Sequence, residues 1–246
     1  MDALRHRGPE PSEPTRPVHI FYVDGPAGTG KTYLFKKLYY ACRALGKIAI
    51  AVAMSGIASL LMPRGRTAYS RFGLPVPVPL DGCVCNIKAS SSRGSLLRNV
   101  SLILWDEAPT ASRAVFDAVD QLLRDLRANH SWQQAERFFG GVVLVLAGDF
   151  RQIPPVLPRL SRERALEHNV VRTNWWQDDM VKRSYKLTTN MRAATDHRFA
   201  STSLAIGEGQ VQDAQQRVEL PADLAPPDQW TPTQLLKWTY EGLQLH

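Results

Sequence analysis

Eight consecutive residues, Gly25-Pro26-Ala27-Gly28-Thr29-Gly30-Lys31-Thr32, follow the spacing G-x-x-x-x-G-K-T. The glycines let the backbone turn tightly enough for successive N–H groups to point inward and cradle phosphate oxygens. Lys31 is spaced to reach β- and γ-phosphate oxygens, and Thr32 to offer its hydroxyl to magnesium. The ligands this pattern calls for are a nucleoside triphosphate and magnesium. A second pair of groups, Asp106-Glu107, ends the apolar run Ser101-Leu102-Ile103-Leu104-Trp105. At the end of a parallel strand, Asp106 can hold the metal and Glu107 can polarise an attacking water. A third group, Gln152, follows the run Val142 to Ala147 in Gly148-Asp149-Phe150-Arg151-Gln152. Its amide carries both a donor and an acceptor, so it can bond a γ-phosphate and a water together.

These groups act together only if one scaffold delivers them to one edge. Val18 to Val23 is an apolar strand of buried type that runs into the phosphate loop. After the loop, Leu34, Leu38, Ala41 and Leu45 recur at helical spacing up to Gly46, a C-terminal stop. The helix dipole at that loop favours negative charge. Val115, Phe116, Val119, Leu122, Leu123 and Leu126 predict a helix behind Asp106-Glu107, which supplies the crossover a parallel strand requires. Ile153-Pro154-Pro155 predicts a rigid exit from the Gln152 loop.

The chain has 246 residues, 44% of them hydrophobic, and no apolar run near the ~20 residues that span a bilayer; no membrane partner is expected. Dense patterning covers Val18 to Arg192. Residues 1–17 hold four prolines and mixed charge, which predicts a disordered tail, and Glu10 and Glu13 argue against an organellar transit peptide. Cys42, Cys83 and Cys85 lack C-x-x-C spacing, so they fit a reducing compartment better than a zinc site.

The net charge of +7 is concentrated. Lys36 to Asn99 carries ten Lys or Arg against one acid, Asp81, so this segment is a candidate polyanion face. Arg64, Arg66 and Arg71 lie among the rings Tyr69 and Phe72, the mixture of charge and stacking surface that single strands favour; ordinary core packing is the alternative for both rings. Beyond Arg192 acids prevail, from Asp196 to Glu241, and that part is expected to face away from nucleic acid.

The segments GPAGTGKT, AVAMSGIASLL with RGRTAYSRFGLP, LILWDEAPT, LAGDFRQIPPV and LTTNMRA occur in the order found in Pif-type DNA helicases of superfamily one. Over Val18 to Gly209 the chain resembles that family, and especially its Helitron-associated and eukaryotic branch. The resemblance implies a RecA-like α/β fold, a mostly parallel sheet flanked by helices, with a small C-terminal extension. It implies ATP-driven 5′-to-3′ translocation on single-stranded DNA, with magnesium, in DNA repair, recombination and telomere maintenance. It places the protein in the nucleus, the mitochondrion being the family's other compartment. By the same resemblance Lys31 and Thr32 bind phosphate and metal, Asp106 and Glu107 serve metal and water, Gln152 senses the γ-phosphate, and Arg192 approaches it. Ser55, Gly56, Thr67 and Ser70 fall in segments that touch DNA in the family, and Tyr69 stands where histidine is commoner.

A motor of this family also needs a second RecA-like lobe, and no motif for it follows Arg192. Residues 193–246 are expected to form the family's small insert, Phe199 to Gly209, and a linker with an amphipathic helix over Thr231 to Leu243. Three functional readings stay open: the ATP-binding half of a DNA helicase, a nucleotide- and DNA-binding half-motor that does not unwind, and a small-molecule P-loop kinase. For the chain itself a truncated gene model, a degenerate transposon copy and a genuine short product are the alternatives.

Overall fold

The computed structural model describes residues 19–79, 82–128, 136–152, 161–179, 183–213, 217–218 and 230–239. The expected tail over 1–17, the Ile153-Pro154-Pro155 exit and Asp81 lie outside the described residues. The chain divides into two units, Met1–Ala194 and Thr195–His246.

The first unit is built on a six-stranded sheet in the order β3-β2-β4-β5-β1-β6. Its strands are β1 Ile20–Asp24, β2 Ala49–Ala53, β3 Arg66–Thr67, β4 Leu102–Asp106, β5 Val143–Gly148 and β6 Ser184–Lys186. Every pairing is parallel. Parallel sheets need cover on both faces, and their central strands are accordingly apolar throughout. All five residues of β2 and of β4 are buried. Alternate side chains feed two cores. Ile20, Tyr22, Ile50, Val52, Ile103 and Trp105 join one, while Val23, Ala51, Ala53, Leu104 and Ala147 join the other.

Helix α1, Lys31–Ala44, packs Phe35 and Tyr39 into the second core, where the alanines of β2 leave room for aromatic rings. Helix α5, Arg113–Ala128, buries all six residues whose spacing predicts it, with Ala114 and Ala118. Between these lie α2 Gly56–Leu60, α3 Ala68–Phe72 and α4 Ser92–Arg98; α6 Arg162–Glu167 and α7 Asn174–Asp179 follow β5. β5 lies between β1 and β4, so the strand that leads to Gln152 separates the phosphate-loop strand from the Asp106 strand.

The second unit holds α8 His197–Gly207, capped by the Asp196 carboxylate on the Phe199 N–H at 2.8 Å, and α9 Pro232–Thr239. The helix expected over Thr231 to Leu243 is described as far as Thr239.

Candidate nucleotide site and nucleic-acid interface

The phosphate loop is held from three sides. Gly25 N–H donates to Gly148 O at 3.3 Å, tying the loop to the end of β5, and Leu187 N–H donates to Asp24 O at 2.8 Å beside it. Thr29 Oγ1 closes the turn on Pro26 O at 2.8 Å. Gly28 has φ +84, and a Cβ there would stand 2.6 Å from Asn190 Oδ1 and 2.8 Å from Arg192 Cβ, so both conformation and contact require glycine. Lys31 Nζ donates to Gly25 O at 2.5 Å and Pro26 O at 3.0 Å, which aims the ammonium into the loop. Burial lowers the Lys31 pKa, and Asp106, Asp149 and Asp24 oppose that shift.

Asp106 is buried at the end of β4, and desolvation raises its pKa against the pull of the Glu107 N–H and Lys31. Its Oδ1 accepts that N–H at 3.0 Å. Glu107 turns the chain sharply, with φ 56 in the left-handed region, a conformation that costs a non-glycine residue roughly 1–2 kcal/mol. The turn is secured by Thr110, whose hydroxyl and N–H both donate to Glu107 O, at 2.7 and 3.0 Å. Pro109 in this turn packs on Gly148 so closely that a Cβ at Gly148 would land on its ring.

Gly28, Gly30, Lys31, Thr32, Asp106, Glu107, Asp149, Gln152, Met191 and Arg192 line one cleft of about 400 Å³. Within it, Gln152 and Arg192 are solvent-exposed. Among the described residues no cluster of three or more His, Cys, Asp or Glu could hold a metal by protein ligands alone. One buried carboxylate and a neighbouring hydroxyl suit magnesium, which keeps waters and shares phosphate oxygens. Thr32 and Asp106 are the residues that would hold it.

Arg192 is placed by a residue that its own motif conceals from sequence reading. Asn190 Oδ1 accepts the N–H groups of Arg192 and Ala193 at 3.0 and 3.1 Å, and Met191 N–H donates to Gly28 O at 3.0 Å. The Arg192 segment is thereby fastened to the phosphate loop. Asp149, like Asn190, carries no signal in the motif spacing: it is buried, and its Oδ1 pairs with Arg151 at 3.0 Å.

The residues expected to touch DNA separate into caps, cations and core. Ser55 caps α2, accepting Ala58 N–H at 3.2 Å, with Gly56 exposed at its first turn; Thr67 caps α3, accepting Ser70 N–H at 3.2 Å. Arg64, Arg66, Thr67, Ser70 and Arg71 line a concavity of about 660 Å³ together with Ser59 and Gly65. Tyr69 is half-buried against the core. Phe72 corrects the expectation: it is fully buried and stacks on Trp105 at 5.5 Å between centroids. Its ring anchors α3 to the strand that carries Asp106, so it is not available to a base. Helix α2 stands between the two hollows, giving Ala58 and Leu61, just past its last turn, to the nucleotide cleft and Ser59 to the basic concavity.

The model of the PIF1-like helicase family matches residues 14–217. ATP-dependent DNA helicase PIF1 of Candida albicans is 26% identical over 233 residues, 91% of this chain and 25% of that protein. ATP-dependent DNA helicase RRM3 of Saccharomyces cerevisiae is 29% identical, over 89% of this chain and 29% of that protein. The chain thus spans between a quarter and a third of the length of these relatives. Among solved structures, Bacteroides Pif1 bound to ssDNA superposes with a TM-score of 0.61 at 26% identity, covering 79% of this chain and 44% of that one. The fold is RecA-like, and with a family match over most of its length the chain belongs to the PIF1-like helicases.

Proposed function

We propose that this chain is the nucleotide-binding lobe of an ATP-dependent DNA helicase that moves 5′-to-3′ on single-stranded DNA and uses Mg2+. The observation that carries the reading is the convergence of Lys31, Asp106, Glu107, Gln152 and Arg192 on one cleft that shares a wall with an arginine-lined concavity. The names of the relatives, ATP-dependent DNA helicases, and the ssDNA-bound neighbour support it. Bound Mg2+ would neutralise phosphate charge and orient the phosphates. The chain's own groups do the rest. Loop N–H groups and Lys31 bind the phosphates, Glu107 orients a water, and Gln152 and Arg192 reach the γ-phosphate side. Repair, recombination and telomere maintenance in the nucleus are the setting we propose from the family resemblance.

Lys31→Ala should weaken Mg-ATP binding clearly in calorimetry, whereas Glu107→Gln should keep binding and lose turnover. Unchanged ATP affinity in folded Lys31→Ala protein would rule the site out. A second reading, a nucleotide- and DNA-binding module that does not unwind, is favoured by one observation: among the described residues, the groups lining the cleft all come from the first unit. A forked substrate with a 5′ tail separates the two, since robust unwinding by the 246-residue chain at all protein concentrations defeats the second.

A further inference from the structure

Two arginines of the basic run spend their side chains on the nearby backbone. Arg98 donates to Leu126 O at 3.1 Å and Ala89 O at 2.9 Å, and Arg43 donates to Lys47 O at 3.3 Å. Three are different. Arg66, Arg71 and Arg93 converge with Ser70 on a hollow of about 250 Å³ that opens beside the larger basic concavity. No carboxylate pairs with any of them among the described residues.

Their geometry is that of a receptor rather than a solvated face. Arg71 is half-buried, and its Nε–H is out of solvent without a partner. Its guanidinium is steadied by one donation, at 3.3 Å, to the carbonyl oxygen of Arg64, whose own backbone takes φ 53. Arg93 arrives from α4, outside the motif segments, and donates to Ser70 O and to Arg71 O, the latter at 3.3 Å. This fixes its fork against the exposed side of α3. Burial and the charges of Arg66 and Arg93 disfavour the protonated form of Arg71, so the cluster holds uncompensated repulsion. Three cations gathered on one hollow with no carboxylate among them are balanced by an anion with several acceptor oxygens.

We propose that Arg66, Arg71 and Arg93 form a three-arginine pocket that binds one backbone phosphate of single-stranded nucleic acid, with Arg93 as the ligand no motif contains. The choice of nucleic acid over a free phosphate rests on the helicase reading above. The forks address phosphate oxygens and not base edges, so the contact is indifferent to sequence.

The test uses the full chain, a thymidine oligonucleotide and a series of salt concentrations. Each phosphate neutralised on a single strand contributes a slope of about 0.7 to the log–log plot of affinity against salt. Arg93→Gln and Arg66→Gln should each weaken binding several-fold with ATP affinity unchanged, and replacing Arg66, Arg71 and Arg93 together by Gln should remove one such step, about 0.7, from the slope. Arg66 makes no side-chain hydrogen bond among the described residues, so its substitution reports charge alone. An oligonucleotide with methylphosphonate linkages should bind wild type and variants alike. Wild-type affinity in both single variants, or a wild-type slope in the triple variant, overturns the pocket. So does a loss confined to Arg93→Gln with Arg66→Gln unaffected, which assigns Arg93 to bracing α3. Inorganic phosphate, followed by the Arg71 Nε–H resonance, distinguishes the source: a shift with phosphate but no oligonucleotide binding by wild type keeps the anion pocket and removes the DNA reading.

Discussion

Asp106 and Lys31 are displaced in opposite directions by the same burial, the carboxyl upward and the ammonium downward. Metal binding needs the ionised carboxylate, so Mg2+-dependent ATP affinity should fall on the acid side above the usual aspartate range of about 4. For stability the sign is reversed. A carboxyl whose native pKa exceeds its unfolded one favours folding at low pH, and that contribution disappears as pH rises through the two values. Asp106→Asn should therefore be more stable than wild type at neutral pH, by roughly 0.5–2 kcal/mol, while losing Mg2+ dependence. Calorimetry across pH and thermal melts check both signs. Phe72 offers a separate test. Truncation to Ala removes a ring stacked on Trp105 and should cost about 3–5 kcal/mol, whereas Phe72→Leu should retain single-strand affinity; a selective loss of DNA binding in folded Phe72→Leu would restore that ring to the interface.

Gly148 shows how one element disciplines another. It ends β5, accepts the Gly25 N–H, and leaves no space for a methyl beneath Pro109. Gly148→Ala should push the Asp106–Pro109 turn outward, lowering ATP turnover by an order of magnitude or more while phosphate binding through Lys31 persists. Equal turnover in the two proteins, measured at saturating ATP, would show that the turn accommodates the methyl. Elements of this kind were partly legible beforehand. β1, β4 and β5 are apolar runs next to charged or glycine-rich ends, and α5 repeats its large residues at helical spacing, so each announces itself. β2 does not, since Ala49 to Ala53 contains three alanines and reads equally as helix. β3 has two residues and β6 three, too few for any period. Strand order was out of reach because pairing joins residues distant in the chain, as Ile20 does with Leu144. In the site, the motif spacing exposed Lys31, Asp106 and Gln152. Asn190 stayed hidden, because its role is a hydrogen bond to neighbouring backbone and leaves no mark in composition.

At the scale of the whole first unit, the nucleotide cleft and the arginine-lined concavity are separated by the thickness of α2. That helix is five residues long, and its end is locked from behind by Gly65, whose missing side chain lets the chain pass against Ser59 O. A partition so thin has a thermodynamic consequence. If ATP changes the affinity for a single strand by some factor, the strand must change the affinity for ATP by the same factor, whichever binds first. Closing that cycle by calorimetry, with Gly65→Ala as the variant that shifts the partition, should give equal factors in both proteins' two paths and a smaller factor in the variant. Equal coupling in wild type and variant would mean that the two ligands communicate by another route. With the partition as the route, selection could not alter how far ATP moves the affinity for a strand without altering, by the same factor, how far the strand moves the affinity for ATP.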